Sequence, residues 1–123
     1  MTIPVDLSKL AEVMQRYRFA YLLTSSERGA PHAVAVTPVL QGGELAVGEA
    51  GRRTRDNAAQ RPEVALVWPP QSPTDYSLIV DGQAVVADAG LRIVPSRAVL
   101  HRPAPQREPA TPGACGSDCV EVI

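Results

Sequence analysis

The sequence lacks the features that mark several classes of protein. No apolar run approaches the roughly 18–20 residues needed to span a bilayer, and the first ten residues, MTIPVDLSKL, lack a basic region followed by an apolar stretch. Twelve basic and thirteen acidic side chains give a formal charge of −1. This balance favours neither nucleic acid nor an acidic membrane as a partner. We therefore expect a cytoplasmic protein without a membrane or nucleic-acid partner.

Cysteine is also scarce. The chain has two, Cys115 and Cys119, in the segment ACGSDC. Two thiols at this spacing do not complete a zinc site, and CxxxC differs from the CxxC of redox helices. We expect no metal site. The sequence leaves open an inert pair of thiols, an intermolecular disulfide, or a metal shared with a partner.

The size and composition predict a single folded domain followed by a tail. A chain of 123 residues has the usual size of one domain, and its content of 45% hydrophobic and 20% charged residues is globular rather than disordered. After His101 the sequence is dominated by Pro, Ala and Gly, with little to bury. We predict a folded domain over residues 1–101 and an extended Pro/Gly-rich tail over residues 102–123 that carries the CxxxC pair.

The hydrophobic pattern predicts a helix and then strands. Asp6 is a suitable N-cap, and apolar residues follow it at three- and four-residue steps, which predicts a helix over residues 7–16. Three runs rich in β-branched and aromatic residues come next: RFAYLLTS, PHAVAVTPVL and ELAVGE. The turn segments SERGA and QGG separate them, so they predict a three-stranded antiparallel meander.

The second half of the pattern predicts a short helix and three more strands. TRDNAAQR, residues 54–61, ends before Pro62 and is typical of a short helix. EVALVW is a strand, and YSLIVDGQAVVAD and LRIVP predict two more, joined by a turn at residues 88–90, with a bulge at Gly82. Because both faces of the early strands are apolar, a closed barrel is favoured over a one-sided sheet. The predicted fold is mainly β, with about six antiparallel strands and two short helices.

The densest polar segment is GRRTRDN, residues 51–57, between the third strand and the second helix. Arginine donors, a threonine hydroxyl, a preceding glycine and the free N–H groups of a helix start suit a phosphate. A solvated, arginine-rich surface turn is the alternative. The segment predicts a site for an anion, in particular a phosphate group.

The order of these segments resembles the FMN-binding split β-barrel family named for pyridoxamine 5'-phosphate oxidase. The resemblance covers residues 6–101 and rests on PHAVAVTPV, GRRTRDNAAQRPEVALVW and YSLIVDGQAVV. It implies a split barrel that works as a homodimer, with the cofactor in the groove between two barrels. The implied activity is that of an oxidoreductase that transfers hydride between bound FMN and a small organic substrate.

The resemblance also implies which residues contact the cofactor. Four residues of the second strand would lie along the flavin ring: Val36, Thr37, Pro38 and Val39. Four residues at the strand-to-helix junction would take the phosphate: Arg52, Arg53, Thr54 and Arg55. Asn57 begins the Asn-to-Pro stretch of the same site, and Trp68 would cover the ring or the dimer seam, with packing in the core as its alternative.

One departure from the family pattern leaves the cofactor open. Thr54 stands where a lysine is frequent, so anion binding falls mainly to the arginines, and an 8-hydroxy-5-deazaflavin cofactor with a longer acidic tail fits the charge as well as FMN. A second alternative is a non-catalytic binding or carrier protein for a flavin, deazaflavin, haem or other tetrapyrrole. A third is a scaffold without a cofactor whose cysteine tail contacts a partner. Pyridoxamine phosphate is not the expected substrate, because the C-terminal substrate-binding residues of that enzyme group have no counterpart here.

Few catalytic side chains are expected, because the cofactor would carry the chemistry. His32 begins the second strand and could reach a substrate or be structural. Tyr76 and Ser77 could face the neighbouring subunit's site, although strand propensity alone accounts for them. His101 is expected to be a structural histidine.

Overall fold

The computed structural model describes residues 1–104, and this part of the chain holds eight strands and two short helices. The strands are β1 (Thr2–Val5), β2 (Ala20–Ser25), β3 (Pro31–Val36), β4 (Val39–Gln41), β5 (Glu44–Val47), β6 (Glu63–Trp68), β7 (Ser77–Ala87) and β8 (Gly90–His101). The helices are α1 (Leu10–Met14), which follows a 3-10 turn at Leu7–Lys9, and α2 (Arg52–Gln60). The predicted cysteine tail, with Cys115 and Cys119, lies outside the described residues.

The strands form one antiparallel sheet in the order β3-β2-β6-β7-β8-β5-β4, with β1 also paired to β8. The two ends of this order, β3 and β4, are consecutive in the chain and are separated only by Thr37 and Pro38. Two intervening residues span at most about 11 Å between Val36 and Val39. The sheet must therefore curl until its ends meet, which produces a barrel.

The predicted mainly β fold with two short helices is confirmed, with eight strands instead of about six. Pro38 breaks the predicted second strand in two, because proline lacks the N–H that a continuing ladder needs. β1 was not predicted because Pro4 interrupts a short segment, and such a strand forms by pairing along β8. The pairing of the predicted meander is confirmed, since β2 pairs with β3 and β4 pairs with β5, but its second strand is divided into β3 and β4, which lie at opposite ends of the strand order.

The β7–β8 hairpin is longer than its sequence pattern predicts. β8 continues past Pro95 to His101, because the register shifts between Asp81 and Gly82 and the bulge accommodates the proline. The predicted bulge at Gly82 is thereby confirmed. A Cβ at this position would lie 2.6 Å from the carbonyl oxygen of Val94, so only glycine allows the strands to approach this closely.

The core fills the barrel with aliphatic side chains. Its largest fully buried members come from six elements: Leu10, Leu22, Leu45, Leu66, Leu78, Leu91 and Ile93. Asp6 caps the 3-10 turn by accepting hydrogen bonds from the backbone N–H and hydroxyl of Ser8, at 2.9 and 2.8 Å, which lower the pKa of its carboxyl. Among residues 1–104 no helix has the length and apolar character required to cross a membrane.

Candidate functional site

The start of α2 presents unpaired backbone donors. Gly51 is the N-cap, with φ −63° and ψ 163°, and no side chain caps the first turn. The first hydrogen bond within the helix runs from the N–H of Arg55 to the carbonyl of Gly51, at 3.0 Å. The N–H groups before it point out of the helix end, where the helix dipole also favours negative charge.

A shallow depression of about 400 Å³ lies at this helix end, lined by Glu49, Ala50, Gly51, Arg55 and Ala89. The tip of the β7–β8 hairpin forms one wall, because the N–H of Ala50 donates to the carbonyl of Ala89 at 2.9 Å. The strand-to-helix junction and the hairpin tip are 39 residues apart in the sequence. Nothing in their local sequence indicates this contact, so the second wall could not be predicted from the sequence.

Three arginines lie in the first turn of α2, and one of them, Arg55, lines the depression. Arg52 and Arg53 are exposed, and Arg55 is half-buried. The Nε atom of Arg55 is buried and has no hydrogen-bond partner among residues 1–104. Neither ion pair of the described residues involves these arginines, since the two join Arg92 to Glu44 and Arg97 to Asp81. A buried donor without an acceptor is costly, and an anion in the depression would supply the acceptor.

The opposite face of α2 is turned into the barrel. Thr54 is only 1% exposed, and its hydroxyl oxygen has no hydrogen-bond partner among the described residues. Asn57 is also buried, and its Nδ2 donates to Oγ1 of Thr24 on β2 at 3.1 Å. Of the five residues predicted at this junction, the structure therefore brings the three arginines to the outer side and places the other two inside.

The four residues predicted along the ring alternate between the core and the surface. Val36 is buried, Thr37 is exposed, Pro38 is half-buried and Val39 is 54% exposed. Val39 pairs with Ala46 on β5, and Ala46 pairs with Arg92 on β8. Ala46 lies four residues before Ala50, which lines the depression, so β5 connects the two parts of the predicted site.

The other predicted residues lie elsewhere. Trp68 is 3% exposed and belongs to the core, at the far end of β6 from the link to α2. His32 is half-buried opposite Thr24. The Nδ1 atom of His101 lies 3.0 Å from the hydroxyl of Thr2, which fits a structural histidine. Tyr76 is half-buried, and its carbonyl accepts a hydrogen bond from Tyr17.

An apolar row crosses the outer face of the sheet. Pairing places its six members side by side on six strands: Ala35, Tyr21, Val67, Ile79, Val99 and Pro4. Tyr21 is 42% exposed, and Phe19 packs edge-on against its ring with centroids 5.2 Å apart. Alternate residues of these strands fill the barrel, so this row lies on the outer face of the sheet. Ala35, Tyr21 and Pro4 are exposed there, Val67 and Ile79 are half-buried, and Val99 is buried. We call these six residues the outer row.

Comparison with known proteins finds similar sequences in mycobacteria. Uncharacterized proteins of Mycobacterium bovis and Mycobacterium tuberculosis are each 46% identical to this chain over 132 aligned positions. Each alignment covers 94% of this chain and 93% of the mycobacterial protein. No protein-family model matches the chain.

Comparison with solved structures finds the same fold. A candidate pyridoxamine 5'-phosphate oxidase of Listeria innocua has a TM-score of 0.65 at 15% identity, over 76% of this chain and 96% of its own. A FAD-binding protein of Mesorhizobium loti has a TM-score of 0.64 at 12% identity, over 81% and 96%. An F420 reductase has a TM-score of 0.57 at 16% identity, over 71% and 93%.

Proposed function

We propose that the protein is a flavin-binding oxidoreductase. The chain belongs to the family of the two mycobacterial proteins, and it has a split-barrel fold like that of pyridoxamine 5'-phosphate oxidase-like proteins. The cofactor is FMN, and the substrate is a small organic molecule. The reaction is hydride transfer between the two. The names of the similar structures, which include a FAD-binding protein and an F420 reductase, support a cofactor of this type.

The buried Nε of Arg55 is the observation that carries the proposal. This donor lines the depression at the uncapped start of α2 and has no acceptor in the part of the chain that the structure describes. A phosphate there would accept from Arg55 and from the first backbone N–H groups of α2, with Arg52 and Arg53 beside it. Glu49 and Arg55 are the two charged residues of the lining, and Arg52 and Arg53 add positive charge at the start of α2 next to it.

The ring would lie along the exposed side of the β3–β4 link. Thr37 and Val39 present outward side chains there, and Ala46 beside Val39 is small enough to leave room for a flat ring. Val36 and Trp68 would support this wall from the core side. A bound flavin accepts or donates hydride at its ring, and the protein's contribution is to orient the ring and to exclude water.

The site would be completed by a second copy of the chain. The outer row includes exposed and half-buried apolar side chains on neighbouring strands, and burial of such a surface is favourable. We propose a homodimer in which the partner covers this row and the open side of the ring. The cytoplasmic location and the absence of membrane and nucleic-acid partners stay predictions from the sequence.

Titration with FMN and with riboflavin tests the proposal, because riboflavin has the same ring without the phosphate. We expect FMN to bind at least about tenfold more tightly, since a charge-assisted hydrogen bond contributes roughly 1.5–3 kcal/mol. Arg55→Gln should remove most of this difference, measured by quenching of flavin fluorescence. Arg28→Gln makes the same charge change in the exposed β2–β3 turn and should leave both affinities unchanged. Equal affinities of the wild-type chain for the two ligands would contradict the phosphate site.

A deazaflavin is the second candidate cofactor. Three arginines carry more charge than one phosphate group requires, and a longer acidic cofactor tail would use it. The same titration with the 8-hydroxy-5-deazaflavin cofactor decides between the two. Reduction of the bound cofactor by a nicotinamide donor then distinguishes an oxidoreductase from a carrier, which would bind it without turnover.

A further inference from the structure

Two adjoining depressions lie where the α1–β2 link meets the β6–β7 link, and they share Tyr17 and Gln71. We call them together the Tyr17 cleft. Its lining includes Arg16, Tyr17, Arg18, Phe19, Gln71 and Tyr76. Hydrogen bonds hold the two links together. The hydroxyl of Tyr17 donates to the carbonyl of Tyr76 at 2.8 Å, and Nε2 of Gln71 donates to the carbonyl of Arg16 at 3.3 Å.

The cleft gathers most of the aromatic side chains of the protein. The chain has five aromatic residues, and three of them line the cleft: Tyr17, Phe19 and Tyr76. Tyr21 lies beside it through its contact with Phe19, so only Trp68 is in the core. The three lining rings are half-buried, so part of each remains accessible. Accessible ring faces and edges suit a flat aromatic ligand.

The cleft also carries positive charge. Arg16 and Arg18 line it and are exposed, and Arg102 lies over the ring of Tyr76 at 4.7 Å. None of these arginines belongs to an ion pair within residues 1–104, and the Nε of Arg102 is buried without a partner. Asp75 is the one acid in the lining. Partial burial raises the pKa of Tyr17, so its hydroxyl remains neutral and does not repel an anion.

We propose that the Tyr17 cleft binds a planar aromatic carboxylate. The ring packs between the side chains of Tyr17 and its aromatic neighbours, and the carboxylate accepts hydrogen bonds from Arg16 or Arg18. The depressions measure about 220 and 270 Å³, which limits the ligand to one or two rings. The cleft shares no lining residue with the depression at the start of α2, so this site does not depend on the proposed flavin function.

The probe for this site is 1-naphthoate, with the neutral 1-naphthamide as its charge control. Titrated into the ¹⁵N-labelled full chain, 1-naphthoate should shift the amide signals of residues 16–19 and 71–76 with saturation. The affinity for 1-naphthamide should be at least about tenfold lower. The double variant Arg16→Gln/Arg18→Gln should weaken 1-naphthoate binding by about tenfold or more, and Arg28→Gln should not change it. Saturating inorganic phosphate at the α2 depression should not displace the probe.

Several results would overturn the proposal. They are equal affinities for the carboxylate and the amide, no saturable shift at millimolar probe, and shifts confined to residues 49–55. If the same amide signals shift with protein concentration and not with probe concentration, a second copy of the chain occupies the cleft. That result would also contradict the proposal. None of these measurements requires bound FMN. Failure of FMN to bind would therefore contradict the proposed function and leave the test of the cleft unaffected.

Discussion

At the scale of single residues, the segment 51–57 serves the fold and the surface at once. Its arginines face outward, whereas Thr54 and Asn57 face the barrel. The buried bond from Asn57 to Thr24 fixes α2 against β2. The orientation of the helix, and with it the position of Arg55 beside the depression, depends on this bond.

Removal of the Asn57 side chain should therefore destabilise the protein. We expect Asn57→Ala to lower the free energy of unfolding by about 1–3 kcal/mol, because it leaves a buried hydroxyl with one partner fewer. Urea unfolding measures the loss. Thr24→Val should cost less in the Asn57→Ala background than alone, by roughly 1 kcal/mol, since the bond is already gone. Additive effects of the two changes would show that the bond contributes nothing.

The sequence predicted these residues better than it predicted their roles. The composition of GRRTRDN identified the junction and its excess of positive charge, because residue types are read directly. Which side chains turn inward depends on where α2 begins, and it begins at Arg52 rather than at residue 54. That start is set by packing of Thr54, Asn57 and Ala58 against the sheet, which local sequence does not report.

At the scale of elements, the β7–β8 hairpin tip is fixed to the β5–α2 junction. A Cβ on Gly90 would overlap the carbonyl oxygen of Val47 and lie 2.7 Å from that of Gly48. Next to it, Ala89 accepts the hydrogen bond from Ala50. Glycine at position 90 therefore determines how closely the wall of the depression approaches the start of α2.

Gly90→Ala should disturb both stability and the anion site. We expect the free energy of unfolding to fall by about 1–3 kcal/mol, because backbone atoms must move apart. FMN affinity should fall as well, because the Ala89 wall moves away from Arg55. Gly48→Ala is the matched control: its Cβ would meet no atom within 4 Å, and it should be close to neutral. Unchanged urea midpoints for both variants would contradict the close approach.

Prolines account for the elements that the sequence pattern described incorrectly. Periodicity found β2, β5, β6 and β7 because their apolar residues are regular. Pro4, Pro38 and Pro95 lie in or beside strands, where proline normally argues against one. Pro4 is accommodated by pairing of β1 to β8, and Pro38 by a change of direction between β3 and β4. Pro95 is accommodated by the bulge opposite Gly82. These are long-range solutions that a local pattern cannot contain.

At the scale of the whole molecule, the outer row determines the expected assembly. Its side chains lie on neighbouring strands at spacings of about 5 Å, which makes a continuous apolar surface on the outside of the barrel. The same apolar surface on two copies can pair about a twofold axis. This surface argues for two chains per functional unit.

A charge placed in the outer row should separate the two chains. We expect Tyr21→Glu to weaken the dimer on the order of a hundredfold, because a carboxylate would be desolvated in an apolar interface. Sedimentation velocity over a range of concentrations measures this change, and FMN affinity should fall with it. Leu7→Glu introduces the same charge at an exposed apolar residue of the 3-10 turn, outside the outer row, and should leave the dimer intact. A wild-type chain that sediments as a monomer would contradict the assembly.

The first and last strands of the described barrel end side by side. The amino group of Met1 donates to the carbonyl of Arg102 at 2.8 Å, and β1 runs along the end of β8. The exposed turn at Gly42 and Gly43 joins β4 to β5, with both glycines at positive φ. A circularly permuted barrel, joined by a short linker between residues 1 and 104 and opened at this turn, would keep every strand pairing.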